Sequence, residues 1–270
     1  MTGRSASPTS LTLAQVRERG QGDRHLLADP TYARVVVRRI SPFLTFVITR
    51  HTSLSADAIT VLSILTGIGG AVVIIVPSTQ AYLLAVVLLQ IAYLLDVVDG
   101  EVARVRGSAG LRGTYLDLVG HHLQNQALYA VTAYVLVAAT AFAPWAILLG
   151  LVGVGFATPF GAYARLHVLG TRPSAAEITH GRVSSIPLPS GAAAAAVLYW
   201  LYRRIAFLWN YPASMNLFCL AILADAVRMG AGEATPLVVP AFAGCFTGTL
   251  AAKQVANALR ILTAGSWKRT

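Results

Sequence analysis

Three aspartates and a histidine carry most of the chemistry this sequence offers. Asp96, Asp99, Asp117 and His121 all fall in the stretch DVVDGEVARVRGSAGLRGTYLDLVGHH, which runs from Asp96 to His122. Asp96 and Asp99 are three residues apart, so a helix puts both carboxylates on one face. Gly100 and Ala103 continue that face with almost no side chain and leave backbone open to a flat or charged ligand. Arg104 follows, and beyond a polar, Gly-rich turn come Gly113, Asp117 and His121 at helical spacing. The expected arrangement is two helix ends facing each other with three carboxylates converging. Carboxylates so placed repel one another unless cations lie between them. Hard divalent cations take oxygen ligands, and Mg²⁺ commonly works with phosphates.

The stretch resembles the signature of the CDP-alcohol phosphotransferase family, D-x2-D-G-x2-A-R-x8-G-x3-D-x3-D. Asp96, Asp99, Gly100, Ala103, Arg104, Gly113 and Asp117 hold their positions at the family spacings, and His121 stands where the family has its last Asp. The resemblance implies an all-α polytopic membrane protein that moves a phosphoryl-alcohol group, phosphatidyl or similar. The donor would be CDP-diacylglycerol or another CDP-alcohol, the acceptor an alcohol or polyol phosphate, and CMP would leave. It further implies that Asp96, Asp99 and Asp117 bind two divalent cations, Mg²⁺ or Mn²⁺, and that Gly100, Ala103, Arg104 and Gly113 lie at the nucleotide. Arg104 would pair with a phosphate or brace a metal-binding Asp, and Gly113 would let two helices approach.

The opening of the first span, Ser55 to Thr60, is similar to the P-N-x-I-T element of the same family, with Ala56 for the Pro and Asp57 for the Asn. That places Asp57 and Thr60 near the nucleotide, whereas the residues alone read Asp57 as a helix N-cap. The family's last Asp is the base that activates the acceptor hydroxyl, so the departure at His121 touches that step. A neutral imidazole is a competent base near neutral pH, and it also ligates transition metals. Three roles stay open for His121: base, metal ligand, or structural residue with Asp117, His122 or water taking the proton. His122 itself lies about 100° around the helix and reads as a packing residue.

The chain has 270 residues, of which 56% are hydrophobic and 12% charged. Such a balance excludes an ordinary soluble domain, and several apolar runs approach the roughly 20 residues that span a bilayer. The net charge of +10 comes from basic residues between apolar spans and at the termini. That placement fits cytoplasmic loops and anionic headgroups and argues against nucleic acid. Cys219 and Cys245 sit in apolar segments and read as free packing residues.

Residues 1–30 are expected as a flexible cytoplasmic tail, with Ser10 able to cap a short helix, and 31–270 as a single membrane-embedded domain. Tyr32 to Arg50 interleaves Arg34, Arg38 and Arg39 with apolar residues and contains Pro42; it reads as an amphipathic helix in the cytoplasmic interface, bent at the proline. Spans are expected from about Asp57, Ala81, Thr114 and Pro144, with Gly67, Gly69, Gly70, Gly150, Gly153 and Gly155 serving close helix packing. Arg165, Arg172 and Arg182, in the long polar connection that follows, are candidates to hold an acceptor phosphate. In the last third, the positive-inside rule favours treating 191–208 as interfacial or re-entrant, giving six transmembrane helices rather than seven. The expected setting is a multi-pass protein of the plasma (inner) membrane, a homodimer among membrane lipids, with its active site facing the cytoplasm. Two other classes compete: an altered or inactive homologue that binds CDP-lipid as a regulator, and a cation-dependent transporter, for which Asp225 is the one further deep acid.

Overall fold

The computed structural model describes residues 11–26, 32–139, 213–242 and 245, and among them every regular element is helical. In chain order these are α1 (Leu13–Leu26), a π-helical turn (Ala33–Val37), α2 (Arg38–His51), α3 (Ala56–Val73), α4 (Thr79–Val105), α5 (Leu111–Ala139) and α6 (Ala213–Gly230). Three of them, α3, α4 and α6, are long and apolar enough to cross a membrane. The expected third span falls on α5, which is 29 residues long. The expected fourth span, the polar connection and 191–208 lie outside the described residues. One compact unit takes α1 to α3, α4 from Gln80 and α5 as far as Ala127; a second takes α5 from Leu128 together with α6.

In the first unit, α3 begins where Ser55, in extended conformation, accepts a hydrogen bond from the Ala58 N–H at 3.1 Å. Ser55 is therefore the N-cap expected at Asp57. Asp57 instead occupies the first turn, where its charge complements the helix dipole. At its other end, α4 closes with Ser108 N–H donating to Ala103 O (2.9 Å) and Gly107 N–H to Arg104 O (3.2 Å). Gly107 holds φ at 67°, the left-handed conformation this kind of helix end requires. The reversal returns α5 along α4, so that His121 comes level with Asp96.

Small residues let the spans close up. A Cβ on Gly67 would overlap the Gln124 amide, and one on Gly70 would press on Leu88 and Leu89 at 3.1 Å. Close packing thus holds at these two positions, while Gly69 meets nothing within 4 Å among the described residues. Among the described residues Gly113 also meets nothing within 4 Å, whereas Gly120 packs on Ile64. Ser63 Oγ adds a hydrogen bond to Ala92 O at 2.8 Å. Ile48, Ile59, Val98 and Val102 form a core shared by α2, α3 and α4. The opposite faces of α3 and α4 expose Leu62, Leu65, Leu83, Leu84 and Val87, as lipid contact demands.

The leader is more ordered than its composition suggests. Thr12 and Gln15 form a reciprocal capping box, with Thr12 N–H to Gln15 Oε1 at 2.9 Å and Gln15 N–H to Thr12 Oγ1 at 3.3 Å. Thr12 therefore caps α1, which kinks at Gly22 (φ 49°) before continuing to Leu26. Leu11 and Val16 bury themselves against Val105. These packing partners are distant in sequence.

In α2 the usual polarity is reversed. Arg38, Ser41, Thr45 and Thr49 are buried, while Ile40, Phe43 and Val47 are exposed. Pro42 lies inside the helix and has no N–H for the carbonyl one turn back, that of Arg38. Gln21 Nε2 takes that carbonyl instead, at 2.8 Å.

In the second unit, Phe218 packs on Tyr129 (6.0 Å between centroids) and edge-on to Phe242 (5.0 Å). Asp225 is fully buried. Its carboxylate accepts from the N–H groups of Leu237 and Val238 at 2.9 Å and Val239 at 2.7 Å, at the start of the helix that opens at 238.

Candidate functional site

Helices α4 and α5 each supply one side of the site. From α4 comes Asp96. From α5 come Asp117 and His121, one turn apart and so on one face. His121 Nε2 lies 2.8 Å from Asp96 Oδ1 and 3.3 Å from Asp117 Oδ1. One ligand atom from each of the three can be chosen so that all fall within 4.8 Å of one another, the span of a shared cation. The Asp96 and Asp117 carboxylates each place an oxygen within 4.8 Å of the other. Two ionised carboxylates so close repel one another, and a proton or cation between them relieves the repulsion. The donor set of two carboxylates and an imidazole therefore fits a divalent metal, either Mg²⁺ through its oxygens or a transition ion through its nitrogen.

Asp99 takes a different place. It is 6% exposed, and its Oδ2 accepts a 2.5 Å hydrogen bond from Thr60 Oγ1 on α3. It is within electrostatic range of Asp96 and Asp117 but does not join the three-residue group. The carboxylate trio expected from the motif is thus a tight group of Asp96, Asp117 and His121, with Asp99 beside it in the hand of Thr60. The spacing argument put Asp96 and Asp99 on one face correctly; which neighbour each would meet depended on α3, which the spacing does not contain.

The other expected residues separate. Asp57 pairs with Arg112 at 3.1 Å, with Arg112 88% exposed. Gly100 is half-buried, and the nearest group to a Cβ there would be the Arg104 guanidinium at 3.1 Å. Arg104 Nε donates to Gly20 O on α1 at 2.5 Å. Ala103 is half-buried on the same helix. Arg165, Arg172 and Arg182 lie outside the described residues.

Sequence reasoning missed Glu101. It is 1% exposed and sits two residues beyond Asp99, about 200° around the helix and so on the opposite face. Its Oε1 receives Arg38 Nη1 (3.1 Å), Ser41 Oγ (2.7 Å) and Gln21 Nε2 (3.2 Å), and its Oε2 receives Thr45 Oγ1 (2.7 Å). The signal available was the run Arg38, Ser41, Thr45 at helical spacing, a polar stripe that needed a buried partner. Asp225 is likewise accounted for by backbone donors.

The family model for CDP-alcohol phosphatidyltransferases matches residues 53–227, a range that contains α3, α4, α5 and most of α6. No curated protein matches the chain.

Proposed function

Since the chain belongs to the CDP-alcohol phosphatidyltransferase family, we propose that it transfers a phosphoryl-alcohol group from a CDP-linked donor to an alcohol acceptor at the Asp96–Asp117–His121 group. The family is one of phosphotransferases with alcohol acceptors and is generally dependent on divalent metals. The observation that carries the reading is the convergence of those three side chains within 4.8 Å, at the motif positions where the family's chemistry sits.

In this reading, Asp96, Asp99 and Asp117 hold two divalent cations, Mg²⁺ or Mn²⁺. When bound, these ions clamp the donor diphosphate and offset the charge that develops on it. The acceptor oxygen bonds to the phosphorus that carries the donor alcohol, the bond from that phosphorus to the bridging oxygen breaks, and CMP departs with that oxygen. The acceptor's proton would go to His121, whose Nε2 donates to Asp96 and Asp117 in the absence of metal and would be freed to accept it once cations hold those carboxylates. Thr60 keeps Asp99 in place through its hydroxyl. Gly100 and Ala103 leave room for the cytidine diphosphate, with Asp57, Arg104 and Gly113 at its margin. Arg165, Arg172 and Arg182 would draw in a phosphorylated acceptor.

The membrane setting belongs to the same proposal: six spans, α2 lying in the cytoplasmic interface with its apolar face to lipid, the site opening to the cytoplasm of the plasma membrane, and a homodimer as the working form. Support comes from the reversed polarity of α2 and from the three apolar helices.

A second reading of His121 is favoured by the same 4.8 Å grouping: the imidazole as a third ligand to one cation. The test for the whole scheme is CMP release by the purified protein from CDP-diacylglycerol and from small CDP-alcohols, with and without glycerol phosphate, inositol phosphate and their unphosphorylated alcohols. Metal-dependent CMP release that requires an acceptor supports transfer. No CMP from any donor, with donor still bound, would favour the regulator. For His121, replacement by Ala that slows turnover without altering Mn²⁺ affinity supports the base; a matching loss of affinity supports the ligand.

A further inference from the structure

Glu101 is the most heavily hydrogen-bonded acid among the described residues, and neither the motif nor the reaction uses it. Its four donors come from two elements, Gln21 on α1 and Arg38, Ser41 and Thr45 on α2. The same α1–α2 segment grips α4 twice more. Arg104 donates to Gly20 O at 2.5 Å, and Arg106 donates to Leu54 O, to Thr52 O (2.9 Å) and to Ile48 O (3.3 Å), the carbonyls around the C-terminal end of α2. Gln21 also fills the backbone acceptor that Pro42 leaves open at Arg38. The proline, the polar stripe of α2 and the buried acid are therefore parts of one construction.

Its position on α4 gives the construction a consequence. Glu101 lies two residues after Asp99 and five after Asp96, with no break in the helix between them. A rigid helix has one rotational freedom about its axis, and lipid-facing apolar residues on α4 resist rotation only weakly, because one apolar face exchanges for another at little cost. Directional hydrogen bonds to a buried carboxylate do resist it. We propose that Glu101 is a positioning residue: the α1–α2 segment, through Glu101, sets the roll of α4 and so presents Asp96 and Asp99 toward α3 and α5. The proposal rests on the metal-site reading only for its effect on cation binding; the roll itself is a matter of geometry.

The test separates folding, roll and metal binding. Glu101→Leu alone leaves Arg38 buried without a counter-ion and is expected to destabilise the protein. Glu101→Leu with Arg38→Met removes both charges and restores thermal stability, yet lacks directional bonds. In that full-length double variant, Mn²⁺ affinity measured by electron paramagnetic resonance of free Mn²⁺ should fall by about 10–100-fold, the usual consequence of losing a partner that orients metal ligands. Glu101→Gln with Arg38→Met keeps acceptor and donor groups for Ser41 and Thr45 and should regain most of the affinity. A second measurement reads the roll without metal. With Cys219 and Cys245 replaced by Ala, Thr60→Cys and Asp99→Cys are cross-linked with a short bifunctional thiol reagent, since the native side chains touch at 2.5 Å. Cross-linking should be rapid when Glu101 and Arg38 are present and clearly slower in the Leu/Met pair. An unchanged cross-linking rate in the stable Leu/Met protein overturns the proposal. Slower cross-linking together with no Mn²⁺ binding by any form, the native chain included, upholds the positioning role and removes the metal reading instead.

Discussion

Two buried or half-buried acidic places in this protein are built on opposite principles. Asp225 has its oxygens filled by three backbone N–H groups at 2.7–2.9 Å. Such a carboxylate has its charge spread over fixed donors and has no need of a ligand. Asp96 faces Asp117 and His121, so its surroundings bring a second acid where Asp225 has donors. The first arrangement ends a helix connection; the second sets two acids around one imidazole. A deep acid in a membrane protein is therefore informative only after its donors are known, because the residue type is the same in both.

The largest effect that would sharpen the contrast is at the site. Asp96→Asn or Asp117→Asn removes an anionic ligand while leaving size nearly unchanged. Each is expected to bring CMP release to near background, with the folded protein still recovered from membranes in normal yield. Most of the turnover surviving at saturating Mg²⁺ or Mn²⁺ would break the distinction from the site's side. His121 comes next. Its replacement by Ala should slow turnover by about 10²–10⁴-fold if it takes the acceptor's proton, whereas His121→Asp should keep activity by restoring a carboxylate base. Turnover near wild type in the Ala variant would pass the proton to Asp117, His122 or solvent.

Asp225 should behave in the reverse way. Asp225→Ala orphans buried donors, which costs roughly 1–3 kcal/mol or more, and should appear as a lower unfolding temperature and lower yield. Turnover per folded molecule should hold. A specific loss of turnover with stability intact would place Asp225 in the reaction and collapse the comparison. The smallest effect is expected at the Asp57–Arg112 pair. With Arg112 88% exposed, Arg112→Ala should change stability by less than about 1 kcal/mol, a shift to be read by thermal unfolding in detergent. A larger loss would mean that this surface pair bears on the fold.

Local spacing and composition were enough for the helical class, for the placing of Asp96 with Asp99 and of Asp117 with His121, and for the match to the phosphotransferase signature. These properties follow from the 3.6-residue period and from the length of apolar runs, both of which are written along a single stretch of chain. Packing at Gly67 and Gly70 was legible for the same reason, since a small residue in a span has few other uses.

Everything that depends on a second element was decided by the tertiary structure. Ser55 caps α3 although Asp57 is an equally good cap type, because capping is settled by which backbone turns first. Thr60 meets Asp99, and His121 meets Asp96, across helices whose approach is set by Gly120 and the Gly107 turn. The leader helix packs because Val105 and Glu101, some eighty residues on, supply an apolar surface and a hydrogen-bond acceptor from outside its own stretch of chain. A sequence displays which residues bear charge; which partner neutralises each one is a property of distance in space, and that exists only once the helices have packed.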